Sequence, residues 1–139
     1  GVKPASLARL AAAVRADPAA GVRSFLRRLV RGLAPRTAAR TFALLEAALA
    51  ADGAPSPQAL EWGLARLAEA DLRPALAMVK KPTLVLAGEL DRITPSAASR
   101  ALAGALPKAS FRQLRGAGHV PFLSHRGQFV KLLREFLRA

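Results

Sequence analysis

Two short segments of the sequence each hold one side chain that could take part in proton-transfer chemistry. Asp91 lies in GELDRITP (88–95), and His119 lies in GAGHVPFLSH (116–125). A histidine acts as a general base when a carboxylate fixes its tautomer, and it then activates a nucleophile such as a serine hydroxyl. The sequence therefore offers candidates for the acid and the base of such a site, and a nucleophile must be sought.

Each of these two residues also has a purely structural interpretation. Asp91 could cap the helix that follows it, and His119 could hydrogen-bond to a backbone carbonyl in its glycine-rich turn. The two residues occur 28 positions apart, and each one follows a predicted strand. This joint occurrence favours the catalytic interpretation.

The hydrophobic pattern predicts the elements that position Asp91 and His119. Residues 82–88 are a short apolar run typical of a buried parallel strand, and residues 110–116 predict a second strand. Helices are predicted at 94–107, with Thr94 as N-cap, and at 127–137. Both candidates thus follow the carboxyl end of a strand, where open α/β sheets bind ligands. Two strands alone would leave both edges bare, so we expect further strands from another segment or chain.

The first half of the chain shows only helical patterns. Apolar residues recur there at spacings of three and four, which predicts helices at 5–16, 19–33, 35–51 and 57–70, with a break at 52–57. Trp62 and Met78 lie among leucines and are predicted to pack in the core or between the cap and the core. The sequence therefore predicts a basic helical layer followed by an α/β unit.

Three runs in the second half, PTLVLAGELDRITP, SFRQLRGAGHVPFLSH and FVKLLREFL, resemble the C-terminal end of an α/β-hydrolase. WGLARLAEADLRPAL, GHVPFLSH and the length of the helical region are similar to the biotin-pathway carboxylesterases, which act on pimeloyl-acyl-carrier-protein methyl ester. The resemblance implies a helical cap, or lid, at 1–70 and the last two β–α units of a mostly parallel sheet at 71–139. It also implies that Asp91 is the acid and His119 the base of a cytoplasmic carboxylesterase's Ser-His-Asp triad.

The resemblance further implies a nucleophilic serine in a G-x-S-x-G turn, and none of the serines in this sequence has that frame. They are Ser6, Ser24, Ser56, Ser96, Ser99, Ser110 and Ser124. The loop that would bind an oxyanion also belongs to the earlier part of the family's fold. We therefore expect a fragment that lacks roughly the first hundred residues of a hydrolase domain and hydrolyses little by itself.

The charge of the chain is strongly positive, with 22 Lys and Arg against 9 Asp and Glu. Such an excess attracts acidic partners, although a solvated helix face is the simpler interpretation of most of these residues. The resemblance implies that cap arginines hold an acidic acyl carrier protein. The arginines of the matching region are Arg23, Arg27, Arg28, Arg31, Arg36 and Arg40.

The neighbours of His119 have less definite interpretations. Phe122 and Leu123 are predicted to pack under the loop, and the alternative is that Phe122 contributes to the acyl pocket. Ser124 and His125 could orient the loop.

Several other classes of protein are disfavoured by composition. The chain has no cysteine and only two histidines, so we expect no metal and no cofactor. No apolar run is long enough to span a membrane. Without tyrosine or basic–aromatic interleaving, nucleic-acid binding is also disfavoured. Another α/β-hydrolase, such as a generic esterase or lactonase, and a non-catalytic remnant remain alternatives.

Overall fold

The computed structural model describes residues 2–53 and 55–138. The first half forms the helices α1 (Pro4–Ala16), α2 (Pro18–Leu29), α3 (Pro35–Asp52) and α4 (Pro57–Glu69). The second half forms a 3₁₀ helix (Arg73–Met78), β1 (Thr83–Gly88), α5 (Ser96–Ala105), β2 (Ala109–Leu114), α6 (Pro121–Ser124) and α7 (Arg126–Arg138). The predicted break at 52–57 includes Ala54, which lies outside the described residues.

Helices α1 to α4, which we call the helical layer, all begin with a proline in their first turn. The missing N–H of proline has no helical partner at that position, so the residue starts a helix without cost. Asp17 caps α2 by accepting from the Ala20 amide at 3.0 Å, and Ser56 caps α4 by accepting from the Ala59 amide at 3.1 Å. Within the layer, α1 packs on α2 and α4, and α2 packs on α3.

Helix α2 is shorter than the sequence predicts. The periodic pattern extends to residue 33, but the helix ends at Leu29. Gly32 has a φ of 88°, which lies in the left-handed region and turns the chain toward α3. Arg31 therefore lies in this turn and does not continue the helical stripe of Arg23 and Arg27.

The two strands pair in parallel, as predicted, with Thr83 opposite Ala109 and Gly88 opposite Leu114. Helix α5 connects the strands and contacts both of them. The prediction that Thr94 caps α5 is wrong, because the helix begins at Ser96. The amide of Thr94 donates instead to the carboxylate of Asp91, so it belongs to the preceding turn.

The buried apolar residues of the described chain concentrate near the carboxyl ends of the strands and the helix ends that cover them. They are Val14, Leu29, Leu33, Val85, Ala87, Leu114, Ala117 and Val120. The prediction that Trp62 and Met78 pack in the core is wrong, because they are 69% and 72% exposed. Helix α4 packs mainly against α1. Among the described residues, no helix combines the length and apolar character needed to cross a membrane.

Candidate active site

Two loops follow the carboxyl ends of the strands and lie side by side. We call residues 89–95, after β1, the acid loop, and residues 115–120, after β2, the histidine loop. The amide of Leu90 in the acid loop donates to the carbonyl of Ala117 in the histidine loop at 2.8 Å. The two loops are therefore bonded directly through their backbones.

Glu89 adds two hydrogen bonds to this junction. Its amide donates to the Leu114 carbonyl at 3.0 Å, and its carboxylate accepts from the Gly116 amide at 2.8 Å. Gly116 has a φ of 70°, a conformation that glycine adopts without strain. The parallel pairing of β1 and β2 thus continues past the strand ends into the loops.

Gly88, the last residue of β1, lies against the backbone of the histidine loop. A Cβ atom at this position would lie 2.1 Å from the Gly118 carbonyl oxygen and 2.5 Å from that of Ala117. Both distances are far below van der Waals contact, so only glycine fits here. This close approach brings the acid loop and the histidine loop within hydrogen-bonding reach of each other.

Asp91 and His119 meet at this junction. His119 Nδ1 lies 2.9 Å from Asp91 Oδ2. The other carboxylate oxygen of Asp91 accepts from the amides of Ile93 at 2.8 Å and Thr94 at 2.9 Å. Asp91 therefore contacts the imidazole and also holds its own turn. It does not cap the helix that follows, because the N-terminus of α5 receives no side-chain hydrogen bond.

The geometry of this pair determines which nitrogen of His119 is free. An ionised carboxylate only accepts hydrogen bonds, so in this pair Nδ1 of His119 carries the proton and donates a hydrogen bond to Asp91. The Nε2 atom is then the acceptor, as a general base requires. The side chain of Asp91 is 8% exposed and that of His119 is 32% exposed. The carboxylate is thus shielded, while the imidazole remains accessible to a reacting group.

A cleft of about 670 Å³ opens beside His119, between the helical layer and the acid loop. Helices α1, α2 and α4 supply apolar walls to it. These apolar residues include Leu7, Leu10, Val14, Val22, Phe25, Leu60, Leu64 and Leu67. Four basic residues, Lys3, Arg9, Arg28 and Arg92, also line it, whereas its described lining includes no Asp or Glu. The cleft can therefore accommodate an apolar chain and favours an anionic group.

The residues that follow His119 support the histidine loop. The Ser124 hydroxyl donates to the Val120 carbonyl at 3.1 Å and lies 2.9 Å from His125 Nδ1. Phe122 is 49% exposed and makes an edge-to-face contact with Phe129, with ring centroids 6.1 Å apart. Phe122 is not among the described residues that line the cleft.

The six arginines predicted to bind a carrier protein do not share one face. Arg23 pairs with Glu46 at 3.2 Å, and the Arg27 guanidinium lies 5.9 Å from the centroid of the Phe42 ring. Both therefore contact α3, whereas Arg28 lines the cleft. The remaining three, Arg31, Arg36 and Arg40, are exposed. Within the part of the chain that the structure describes, no cluster of three or more potential ligands could hold a metal ion.

The fold and the position of this pair define a class of protein. The profile of the Alpha/beta hydrolase family matches residues 2–132, and the chain belongs to this family. The chain is 41% identical over 93 residues to the pimeloyl-[acyl-carrier protein] methyl ester esterase of Xanthomonas oryzae pv. oryzae. That match covers 67% of this chain and 37% of the relative.

Solved structures of α/β-hydrolases superimpose on nearly the whole chain. A hydrolase from Pseudomonas aeruginosa matches with a TM-score of 0.79 and 26% identity, covering 98% of this chain and 51% of that one. The enol-lactonase of Burkholderia xenovorans shares the fold, with a TM-score of 0.80 and 22% identity, over 98% of this chain and 51% of its own. The chain thus spans about half the length of these structures.

Proposed function

We propose that this chain is the C-terminal part of a cytoplasmic carboxylesterase that hydrolyses the methyl ester of pimeloyl-acyl carrier protein in biotin biosynthesis. The observation that carries the proposal is the pair of Asp91 and His119, 2.9 Å apart at the ends of adjacent parallel strands. The 41% identity to an esterase of that name supports the choice of substrate. The helical layer, within the predicted range 1–70, would form the cap over residues 71–139.

In this proposal His119 is the general base and Asp91 orients it. Nε2 of His119 would take the proton of a serine hydroxyl as the oxygen attacks the ester carbonyl, and it would return a proton to the leaving methoxide. Asp91 would stabilise the imidazolium that forms between these steps. No serine of this sequence has the G-x-S-x-G frame. The nucleophile and the oxyanion donors would therefore come from a segment outside these residues.

The cleft beside His119 would bind the acyl chain. Its apolar walls suit a chain of methylene groups, since burial of each one gains about 0.8 kcal/mol. Arg28 and Arg92 line the same cleft. These cations would favour a substrate that carries negative charge beyond its acyl chain, as the phosphate of a carrier protein's prosthetic arm does.

The exposed arginines of α3 and of the turn before it would contact the carrier protein itself. Arg31, Arg36 and Arg40 are exposed, so they are available to pair with carboxylates on an acidic surface. Arg23 and Arg27 would contribute from the groove between α2 and α3, where they already contact Glu46 and Phe42. We also keep Phe122 as a candidate for substrate binding, through its exposed ring.

Reconstitution tests the proposal. The chain would be fused behind the N-terminal part of the Xanthomonas oryzae esterase, which carries the missing half of the domain. We expect hydrolysis of p-nitrophenyl esters and of pimeloyl-carrier-protein methyl ester. Asp91→Asn should lower kcat by roughly 10⁴-fold, because the imidazole would lose its orienting charge. His119→Ala should lower kcat at least as much.

The matched control is His125→Ala, which alters the only other histidine of the chain and should leave kcat within a few-fold of the parent. Activity that survives His119→Ala would contradict the catalytic assignment. Hydrolysis of small esters without activity on the carrier-protein ester would indicate a generic α/β-hydrolase instead.

Charge reversal tests the carrier-protein surface. In the reconstituted enzyme, Arg27→Glu with Arg31→Glu should raise KM for the carrier-protein ester by about tenfold at low salt and leave small esters unaffected. The control reverses two exposed arginines of α7, Arg134→Glu with Arg138→Glu, and changes net charge equally. If KM rises equally for both kinds of ester, or equally with both pairs of charge reversals, these arginines do not form a carrier-protein surface.

A further inference from the structure

The turn between α2 and α3 reaches both loops of the candidate active site. We call residues 29–34 the α2–α3 turn. Leu29 and Leu33 are 6% and 8% exposed, which places them among the most buried apolar side chains of the described chain. Between them, Gly32 adopts its left-handed conformation. This turn is therefore a packed part of the structure, unlike the many exposed positions of the helical layer.

The α2–α3 turn touches the histidine loop at Gly118, the residue before His119. A Cβ atom on Gly118 would lie 3.3 Å from the Leu29 carbonyl oxygen and 3.4 Å from Leu33 Cδ2. Gly118 is itself buried, so the backbone of the histidine loop lies directly on these two leucines. A shift of Leu33 would thus be transmitted to the peptide next to His119.

The same turn touches the acid loop on its other side. A Cβ atom on Gly32 would lie 3.6 Å from Arg92 Nε and 3.7 Å from Leu90 Cβ. Leu90 and Arg92 are the residues directly before and after Asp91. The turn therefore lies against Gly118, next to His119, and close to Leu90 and Arg92, the two neighbours of Asp91.

We infer that the α2–α3 turn is a positioning element for the pair of Asp91 and His119, with Leu33 as its main contact. The two loops bond to each other, and the turn packs against both of them, so it fixes their shared position. Neither Leu29 nor Leu33 is among the described residues that line the cleft. Leu33 therefore acts through the histidine loop and is separate from the walls that would hold a substrate.

The first test needs no enzymatic activity. In the 139-residue chain, the Nδ1 proton of His119 would be observed by ¹H–¹⁵N NMR and its exchange with water measured. Leu33→Ala removes the contact with Gly118, so we expect the exchange to become about tenfold faster. Leu33→Met keeps the side-chain volume, so its exchange rate should stay within twofold of that of the unsubstituted chain.

Two controls separate positioning from general stability. Thr41→Ala alters a residue of α3 that is only 1% exposed and is not among the described residues that line the cleft, so it should destabilise the helical layer without changing the exchange. If the Leu33→Ala variant does not fold, the exchange rates of Gly32→Val and Gly53→Val are compared instead, and Gly32→Val should be the faster. Both glycines have positive φ, but a Cβ atom on Gly53 would meet nothing within 4 Å. If the exchange rate is the same for Leu33→Ala and its buried control, or for Gly32→Val and Gly53→Val, the inference is overturned.

A kinetic test rests on the proposed function. In the reconstituted esterase, Leu33→Ala should lower kcat by about tenfold with KM within twofold, because small displacements of catalytic groups slow the chemical step. Val14 lines the cleft, so Val14→Ala should act mainly on KM. An increase in KM with unchanged kcat for Leu33→Ala would overturn the inference. An inactive parent enzyme would contradict the proposed function and leave the NMR comparison as the test of positioning.

Discussion

The loops at the strand ends and the helical layer are held in place in different ways. The loops are joined by backbone hydrogen bonds and by an approach that leaves no room for a side chain at Gly88. The helical layer is joined by side-chain packing of helix pairs, and it leaves Trp62 and Leu67 69% and 64% exposed. Backbone contacts fix positions more tightly than side-chain contacts, because side chains can change rotamer. The candidate acid and base are thus carried by the more constrained region.

Among the stability variants considered, Gly88→Ala in the constrained region should lower the free energy of unfolding most. The new methyl group would meet the Gly118 carbonyl at 2.1 Å, and a backbone carbonyl cannot move aside without moving the histidine loop. We expect a loss of more than about 3 kcal/mol in the free energy of unfolding, measured by urea denaturation. The control is Gly104→Ala on α5, where a Cβ atom would meet nothing. That substitution should stabilise the chain by up to about 1 kcal/mol.

Leu29→Ala and Trp62→Ala compare a packed and an exposed position of the helical layer. Leu29 is 6% exposed and lies under the histidine loop, so its truncation should cost about 2 kcal/mol through lost burial and a cavity. Trp62→Ala should change stability by no more than about 0.5 kcal/mol in this chain. Thermal unfolding followed by circular dichroism would measure both. A larger cost at Trp62 than at Leu29 would contradict the described packing.

The smallest effect is expected where the helical layer joins the second half. The Arg73 guanidinium hydrogen-bonds to Asp71 and lowers the pKa of that carboxyl from 3.8 to about 2. A carboxyl pKa that is lower in the folded chain stabilises the fold at pH values above the pKa of the unfolded chain. This contribution to stability is lost as the pH falls from about 4 to about 2. Both groups are exposed, so the effect on stability should be slight.

NMR titration of Asp71 would check this, and Arg73→Ala should return its pKa toward 3.8. An unchanged pKa in that variant would show that the pair does not form in solution.

The sequence predicts that Asp91 and His119 each follow the end of a strand, and the structure brings the two side chains together there. The family resemblance is confirmed over residues 2–132, and the parallel pairing of the two strands is confirmed as well. The catalytic roles of Asp91 and His119, the carrier surface and the cap boundary at residue 70 stay predictions. Gly88 and Gly118 are missed as site residues, because the need for glycine there arises from contacts between segments distant in sequence. For Gly88, the local signal is a glycine that ends a predicted strand three residues before a candidate acid.

The errors in the helical layer have a common physical origin. Hydrophobic periodicity gives the face of a helix that tends to be covered, but not what covers it. It therefore predicts burial for Trp62, which is exposed. Periodicity also continues past the true end of α2, because Leu33 keeps the helical spacing although Gly32 has turned the chain. Leu33 is buried, as the pattern predicts, and it lies against Gly118 of the histidine loop.

The hydrogen bonds of Leu90 to Ala117 and of Glu89 to Leu114 have a consequence for motion. Loops that are bonded at two successive points are displaced together, so thermal fluctuation moves Asp91 and His119 as one rigid body. Motions that displace both loops together would then change the distance between them little. Under the proposed function, a nucleophile on another segment would have to be aligned with only one unit, because Asp91 and His119 are already joined.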